Sequence, residues 1–295
     1  MEKNKFLKLS PMLLHEIDEP FNSSKHIYEI KFDGLRALIY INKNEIIIKS
    51  RRNIMLNDIY PELLKIKNIT KDECILDGEI VLFEDGLPSF SRLQERSRLK
   101  NKDKIKYMKN NYPVTFVCFD ILYKNKNLTN LELIKRKKIL NKFKNNKVFY
   151  KSKYFENKGI DLFNFVKEKN LEGIIAKLKN SPYIYNKRTN YWLKIKNYQT
   201  KDFYIYGYIN EEKNYIITLI LGEKIDKEHI FVGKVILGKK SELANTLLNA
   251  KKISNKYLLD IKDKNINFIE PIYKITVNYM ERTKNNMLRQ PFIKK

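Results

Sequence analysis

A lysine can act as a nucleophile only after losing its proton. At a reference pKa of about 10.4 that costs roughly 4 to 5 kcal/mol at pH 7. Lys31 stands where the cost could be lowered. It leaves the apolar run Ile27-Tyr28-Glu29-Ile30 and opens Lys31-Phe32-Asp33-Gly34-Leu35-Arg36. A buried strand can dry the amine, and neighbouring cations can depress its pKa. Three further stretches have matching chemistry. Ile75-Leu76-Asp77-Gly78-Glu79-Ile80-Val81 and Leu171-Glu172-Gly173-Ile174-Ile175-Ala176-Lys177 place carboxylates at or inside apolar strands. Such acids are costly unless paired or bound to a cation. Tyr191-Trp192-Leu193-Lys194-Ile195-Lys196 alternates, so Lys194 and Lys196 share one face and repel unless an anion lies between them. Singly, each has a plain reading: a solvated lysine among 59 Lys+Arg, an ion-paired turn, a surface strand. The basic turn Ser50-Arg51-Arg52-Asn53 and the apolar run around Phe119 are equally ambiguous alone.

Strands are expected over 27–33, 36–41, 45–49, 74–83, 114–123, 147–154, 173–177 and 191–197, where β-branched and aromatic residues concentrate. A helix through Pro61-Glu62-Leu63-Leu64 is expected to be capped by Asn57 or Asp58, with a short helix over 89–96 and another over 160–169. Thr129 or Asn130 is expected to cap an amphipathic helix that buries Leu131, Ile134 and Leu140 and keeps its lysines outside. After Tyr198 the pattern changes to strands over 202–209, 215–221, 230–237, 272–279 and 287–293, with one helix near 241–250. This predicts an α+β protein: a mixed-sheet domain over 1–198, then an OB-fold β-barrel over 199–295.

The net charge of +25 points to a polyanionic partner, discounted because Lys, Asn and Ile abound while Gly (9) and Pro (8) are scarce, as in an AT-rich genome. No apolar run approaches the roughly 18 residues of a spanning helix, and the N-terminus does not resemble a signal peptide. A cytoplasmic protein without membrane contact is expected. Cys74 and Cys118 sit in apolar runs and suggest buried thiols.

Taken in order along residues 11–197, these motifs resemble the nucleotidyltransferase motifs of ATP-dependent DNA ligases, in the covalent nucleotidyltransferase superfamily. Phe231-Val232-Gly233-Lys234-Val235 and Thr283 to Phe292 are similar to the OB domain of bacterial members, in particular the ligase module of bacterial non-homologous end-joining proteins. The resemblance implies that Lys31 attacks the α-phosphate of ATP and carries AMP to the 5′-phosphate of a break, which a 3′-hydroxyl then seals. By the same resemblance Glu29 contacts the adenine amino group, and Ile30 and Arg36 help hold the nucleotide. Phe119 stacks on adenine, and Arg51 meets ribose or the 5′-phosphate. Glu79 binds ribose and, with Glu172, Mg²⁺ (or Mn²⁺), while Lys194 and Lys196 neutralise the triphosphate. Arg51, Arg52 and Arg289 are the DNA contacts it suggests. The implied partners are nicked or broken double-stranded DNA and a separate DNA-end-binding protein, the enzyme itself being a monomer in repair or end joining. Asn53, Asn186 and Asn286 stand where glycine is expected; asparagine is the side chain that best tolerates a positive φ. An RNA ligase or capping guanylyltransferase would use the same lysine, and an inactive nucleic-acid-binding homologue is the rival of another class.

Overall fold

The run of β-branched and aromatic residues before Lys31 forms a strand that pairs with the strand after Glu172, and the first half of the chain is built around that pairing. The computed structural model describes residues 3–211, 215–226, 228–255, 257, 259–263 and 265–294. Its contacts fall into two units, Met1–Asn197 and Tyr198–Lys295.

The first unit runs α1 (Lys3–Leu7), β1 (Leu13–Glu16), β2 (His26–Lys31), β3 (Leu35–Ile41) and β4 (Ile46–Ser50), then a 3-10 helix (Pro61–Ile69). It continues through β5 (Cys74–Glu84), β6 (Leu87–Pro88), α2 (Phe90–Ser97), α3 (Lys102–Asn111), β7 (Val114–Lys124) and α4 (Leu133–Leu140). It ends with β8 (Phe149–Lys151), β9 (Tyr154–Glu156), α5 (Gly159–Glu168), β10 (Gly173–Leu178) and β11 (Arg188–Lys196). One sheet has the order β1-β11-β10-β2-β9 and the other β4-β3-β5-β7-β8, with β6 on β5. Between them Ile27, Ile175 and Trp192 meet Leu38, Ile75 and Phe119 in one buried cluster. The outer face of the first sheet packs Tyr28, Ile174, Ala176 and Ile195 against Leu162, Phe163 and Val166 of α5.

Several expectations shift for physical reasons. Asn57 caps no helix: its side chain bridges the Ile48 N–H and the Ile46 carbonyl, pinning the edge of β4. The helix it was expected to start is 3-10, entered from Tyr60 without a side-chain cap. Thr129 hydrogen-bonds to Asn127, and α4 begins later, after Glu132. Its lysines are not all outside, because Lys137 is buried against Glu29. The single strand expected over 147–154 is two short ones, β8 and β9, in different sheets. Two elements have no periodic signal in the sequence, the polar α3 and the short β1.

In the second unit β12 (Gln199–Glu211), β13 (Ile216–Ile225) and β14 (Glu228–Gly238) form a meander. It is followed by α6 (Glu242–Asn249), β15 (Lys252–Ile253), β16 (Asn267–Ile269), β17 (Lys274–Tyr279) and β18 (Phe292–Ile293). Ser241 caps α6 by accepting the Ala244 N–H. The strand expected over 287–293 shrinks to β18. Among the described residues the seven strands form an open sheet rather than a closed barrel, although the Leu288 N–H donates to the Val232 carbonyl. The protein is a mixed α+β fold.

At several turns asparagine does the work of glycine. Asn53, Asn186 and Asn286 have φ of 61°, 58° and 59°, and Asn170 has 51°. Asn170 ends α5 in a Schellman motif: its N–H donates to the Lys167 carbonyl and the Leu171 N–H to the Val166 carbonyl. Leu171 then packs against the cluster that holds Val166, and the chain is aimed into β10 with Glu172 at its entrance. Because a left-handed backbone costs a Cβ-bearing residue about 1 kcal/mol or more, Asn170→Ala should lower unfolding stability by about 1 kcal/mol, while Asn170→Gly should not lower it. Urea midpoints of the three proteins measure this; an alanine variant as stable as the parent would contradict it.

Candidate active site

Strand register decides which side chains meet. In the first sheet Lys31 lies opposite Gly173, Glu29 opposite Ile175, and Lys194 opposite Ile175 from the other side. With a period of two, Glu29, Lys31, Ile175, Lys177, Trp192, Lys194 and Lys196 all share the face turned to the second sheet. There Arg36 pairs with Glu79 across β3 and β5. Two glycines make the approach possible. A Cβ on Gly173, at φ +154°, would lie 2.2 Å from the Ile195 carbonyl oxygen. One on Gly34 would lie 2.4 Å from that of Ile80.

The result is a cavity of about 230 Å³ whose lining includes Glu29, Ile30, Lys31, Arg36, Arg51, Glu79, Phe119, Glu172, Lys194 and Lys196. Lys31 Nζ lies 2.6 Å from Glu172 Oε1, and Glu172 Oε2 is buried without a hydrogen-bond partner. Burial pushes the Glu172 carboxyl above its ordinary range, against the pull of Lys31. Burial also pushes Glu79 up to about 8; Lys31 and Arg36 oppose this, while Glu172 and Asp77 reinforce it. A buried carboxyl whose proton affinity a second carboxylate raises marks a site that a cation would relieve. At the same end, Lys194 Nζ lies 2.7 Å and Lys196 Nζ 3.9 Å from Glu16 Oε2. Burial lowers the pKa of Lys196 despite that acid. Glu16 comes from β1, which sequence patterning did not recognise as a strand.

The opposite end is apolar and closed by paired charges. Phe119 is 7% exposed and meets Trp192 edge-on, with ring centroids 5.8 Å apart. Lys177 Nζ lies 4.3 Å from the Phe119 centroid and 4.1 Å from that of Trp192, geometry worth about 2 kcal/mol when desolvated. Glu29, expected at the nucleotide base, is 1% exposed, with Oε1 at 2.5 Å from Lys137 Nζ and Oε2 at 3.2 Å from Lys177 Nζ. Burial raises the Glu29 carboxyl, but the two lysines outweigh it and its pKa falls below the ordinary value. Arg36 is likewise engaged: its guanidinium grips Asp77 through bonds of 3.1 and 2.7 Å. The Tyr183 hydroxyl donates to the same carboxylate at 2.7 Å. Lys137, Asp77 and Trp192 thus shape the cavity wall or its support; lysine-rich and core patterns hid the first and last. Arg52 is exposed in the turn beside the cavity. Arg289 belongs to the second unit, 2.8 Å from Glu281. Cys74 and Cys118 are free and buried.

Residues 11–196 match the family described as the ATP-dependent DNA ligase domain. This chain belongs to the ATP-dependent DNA ligases. Its relatives include the SPbeta prophage-derived DNA ligase-like protein LigB of Bacillus subtilis, 31% identical over 96% of this chain and 97% of that protein. The multifunctional non-homologous end joining protein LigD of Mycolicibacterium smegmatis is 27% identical over 96% of this chain, which spans only 37% of that larger protein. Among solved structures, the ligase domain of LigD from M. tuberculosis aligns over 98% of this chain and 95% of its own, with a TM-score of 0.59 and 25% identity. A mycobacterial DNA ligase D complexed with ATP shares the fold at a TM-score of 0.60. No helix of the ligase, among its described residues, is long and apolar enough to cross a membrane.

The buried lysine at the closed end makes stability pH-dependent. Burial pushes Lys177 down to about 8, against the raising pull of Glu29. The unfolded value is about 10.4, so between those limits the unfolded chain binds more protons and stability rises with pH. Chemical denaturation of the ligase and Lys177→Met at pH 7.5 and 9.5 should show this rise in the parent and a smaller one in the variant. An identical pH response would contradict it.

Proposed function

We propose that the ligase seals 5′-phosphate/3′-hydroxyl breaks in double-stranded DNA through an enzyme-lysyl-AMP and then a DNA-adenylate. The observation that carries this reading is the position of Lys31. Its amine lies beside one carboxylate, shares a strand-paired face with two further lysines, and opens into a cavity with an aromatic end. Glu172 Oε1 is placed to accept the proton as the Lys31 nitrogen forms its bond to the α-phosphorus of ATP. Pyrophosphate leaves as that bond forms, and Lys194 and Lys196 carry positive charge where its negative charge develops. Phe119 offers a stacking face to adenine, and Arg51 reaches ribose or the 5′-phosphate. AMP then passes to that 5′-phosphate, and attack by the 3′-hydroxyl releases it.

Among the described residues no cluster of three or more His, Cys, Asp or Glu side chains could hold a metal alone. Glu79 and Glu172 fit Mg²⁺ (or Mn²⁺) in the way that ion is commonly held, by one or two carboxylates completed by phosphate oxygens and water. The partnerless Glu172 Oε2 and the raised Glu79 carboxyl support that fit. Bound there, the ion would supply charge neutralisation at the phosphates.

Residues 199–295 are read as an OB-fold domain that clasps DNA, with Arg289 among its contacts and residues 1–198 as the adenylation domain. Relatives named for end joining favour a role in repair or end joining, as a monomer recruited by an end-binding protein. Incubation with ATP labelled at the α-phosphate and Mg²⁺ should give a covalent band that nicked DNA chases away and that Lys31→Ala abolishes. Labelling by GTP would favour a capping-type transferase. Labelling that persists without Lys31 would refute the mechanism.

A further inference from the structure

Beside the Lys31 cavity lies a second one of about 460 Å³, and the two share Arg36, Arg51 and Glu79. Its rim is the turn after β4, which is tightly pinned. Ser50 Oγ accepts the N–H groups of Arg52 and Ile54 at 3.3 and 3.1 Å. The Ser50 N–H donates to the Ile54 carbonyl at 2.9 Å. Asn53 takes the left-handed backbone, and its Oδ1 accepts from the buried Lys49 at 3.0 Å. Past the turn, the Leu56 N–H donates to the Ile48 carbonyl at 2.9 Å and the Leu56 side chain is buried. A loop held at both ends nevertheless presents Arg51 and Arg52 to solvent, followed by Ile54, 57% exposed, and Met55, 48% exposed.

Two successive exposed arginines put like charge on one turn, and two large apolar side chains on a fixed turn remain hydrated at a cost. One kind of partner relieves both: a polymer whose anionic oxygens lie within a few ångströms of apolar faces. Duplex DNA has that chemistry, with phosphates for the arginines and sugar and base faces for isoleucine and methionine. Resting on the sealing reading above, we propose that Ile54 and Met55 form an apolar wedge. It sits against the sugar and base face laid open at a break, while Arg51 and Arg52 hold the flanking phosphates. The shared wall through Arg51 sets that break next to Lys31.

The test compares the 295-residue ligase with Ile54→Ser/Met55→Ser, with Ile54→Met/Met55→Leu and with Arg52→Ala. Binding to nicked and intact duplexes of one sequence is measured between 50 and 200 mM salt, with 2-aminopurine beside the nick. The serine variant should lose about tenfold in affinity for the nicked duplex and much less for the intact one. Its salt slope should be unchanged, and the 2-aminopurine signal that reports unstacking should disappear. The apolar variant should keep both affinity and signal, and Arg52→Ala should weaken both duplexes and flatten the slope by about one phosphate. Self-adenylylation of the serine variant, which uses the other cavity, should match the parent. A serine variant with parental nick affinity and signal would overturn the wedge. So would equal losses on both duplexes, or a defect seen only with an acidic protein partner. Failure of the parent to label itself would instead overturn the sealing reading, and the wedge with it.

Discussion

The need to pair every charge buried between two facing sheets is the constraint on which the first unit depends. Asp77 meets Arg36 and Tyr183; Asp120 meets Arg136 through two bonds of 2.9 Å. Glu29 is held by Lys137 and Lys177. Removing one member of such a pair leaves an uncompensated ion in a dry interior, a loss of roughly 3 to 5 kcal/mol. The partners come from widely separated segments, so each pair also ties distant elements together. Arg136 on α4 is fixed to β7 and also donates to the Ser181 carbonyl, near the loop that supplies Tyr183. Away from the site the same device recurs: Glu62 and Arg96 are joined by bonds of 2.5 and 2.7 Å and anchor the 3-10 helix to α2.

At the Lys31 end like charges act on one another. Glu172 raises the proton affinity of Glu79, and Lys194 and Lys196 both lie near the carboxylate of Glu16. Charge balanced at one end and strained at the other gives the cavity its direction. On the proposed reading, the closed end takes adenine against Phe119 and the open end takes the triphosphate with its cation. A nucleoside triphosphate has that same polarity.

Much of this was legible in the sequence because strand periodicity carries it. Alternation in 191–196 puts Lys194 and Lys196 on one face, and the β10 register joins that face to Lys31. Asparagine at the glycine positions was legible for a conformational reason, and Asn53, Asn186 and Asn286 all adopt positive φ. What escaped notice lacked a local signal. Lys137 looks like any lysine of a basic helix until the fold sets it beside Glu29. Glu16 ends a four-residue strand whose existence depends on parallel pairing with β11, far away in the chain. Cap assignments failed at Asn57 and Thr129 because the same side chains found better partners in a strand edge and a turn. The second unit kept its expected strand-rich texture, but its short strands, β15, β16 and β18, are too brief for any pattern to declare them.

Glu16 has one more consequence. On the proposed reading, the two ammonium groups it draws together are those that meet the triphosphate, so acid and substrate would compete for the same cations. Affinity for the nucleotide would thereby be held below what the two lysines would give without that acid. The carboxylate would also offer them a replacement partner as pyrophosphate departs. A short strand at the sheet edge, pairing in parallel with β11, would thus temper tight capture in favour of turnover.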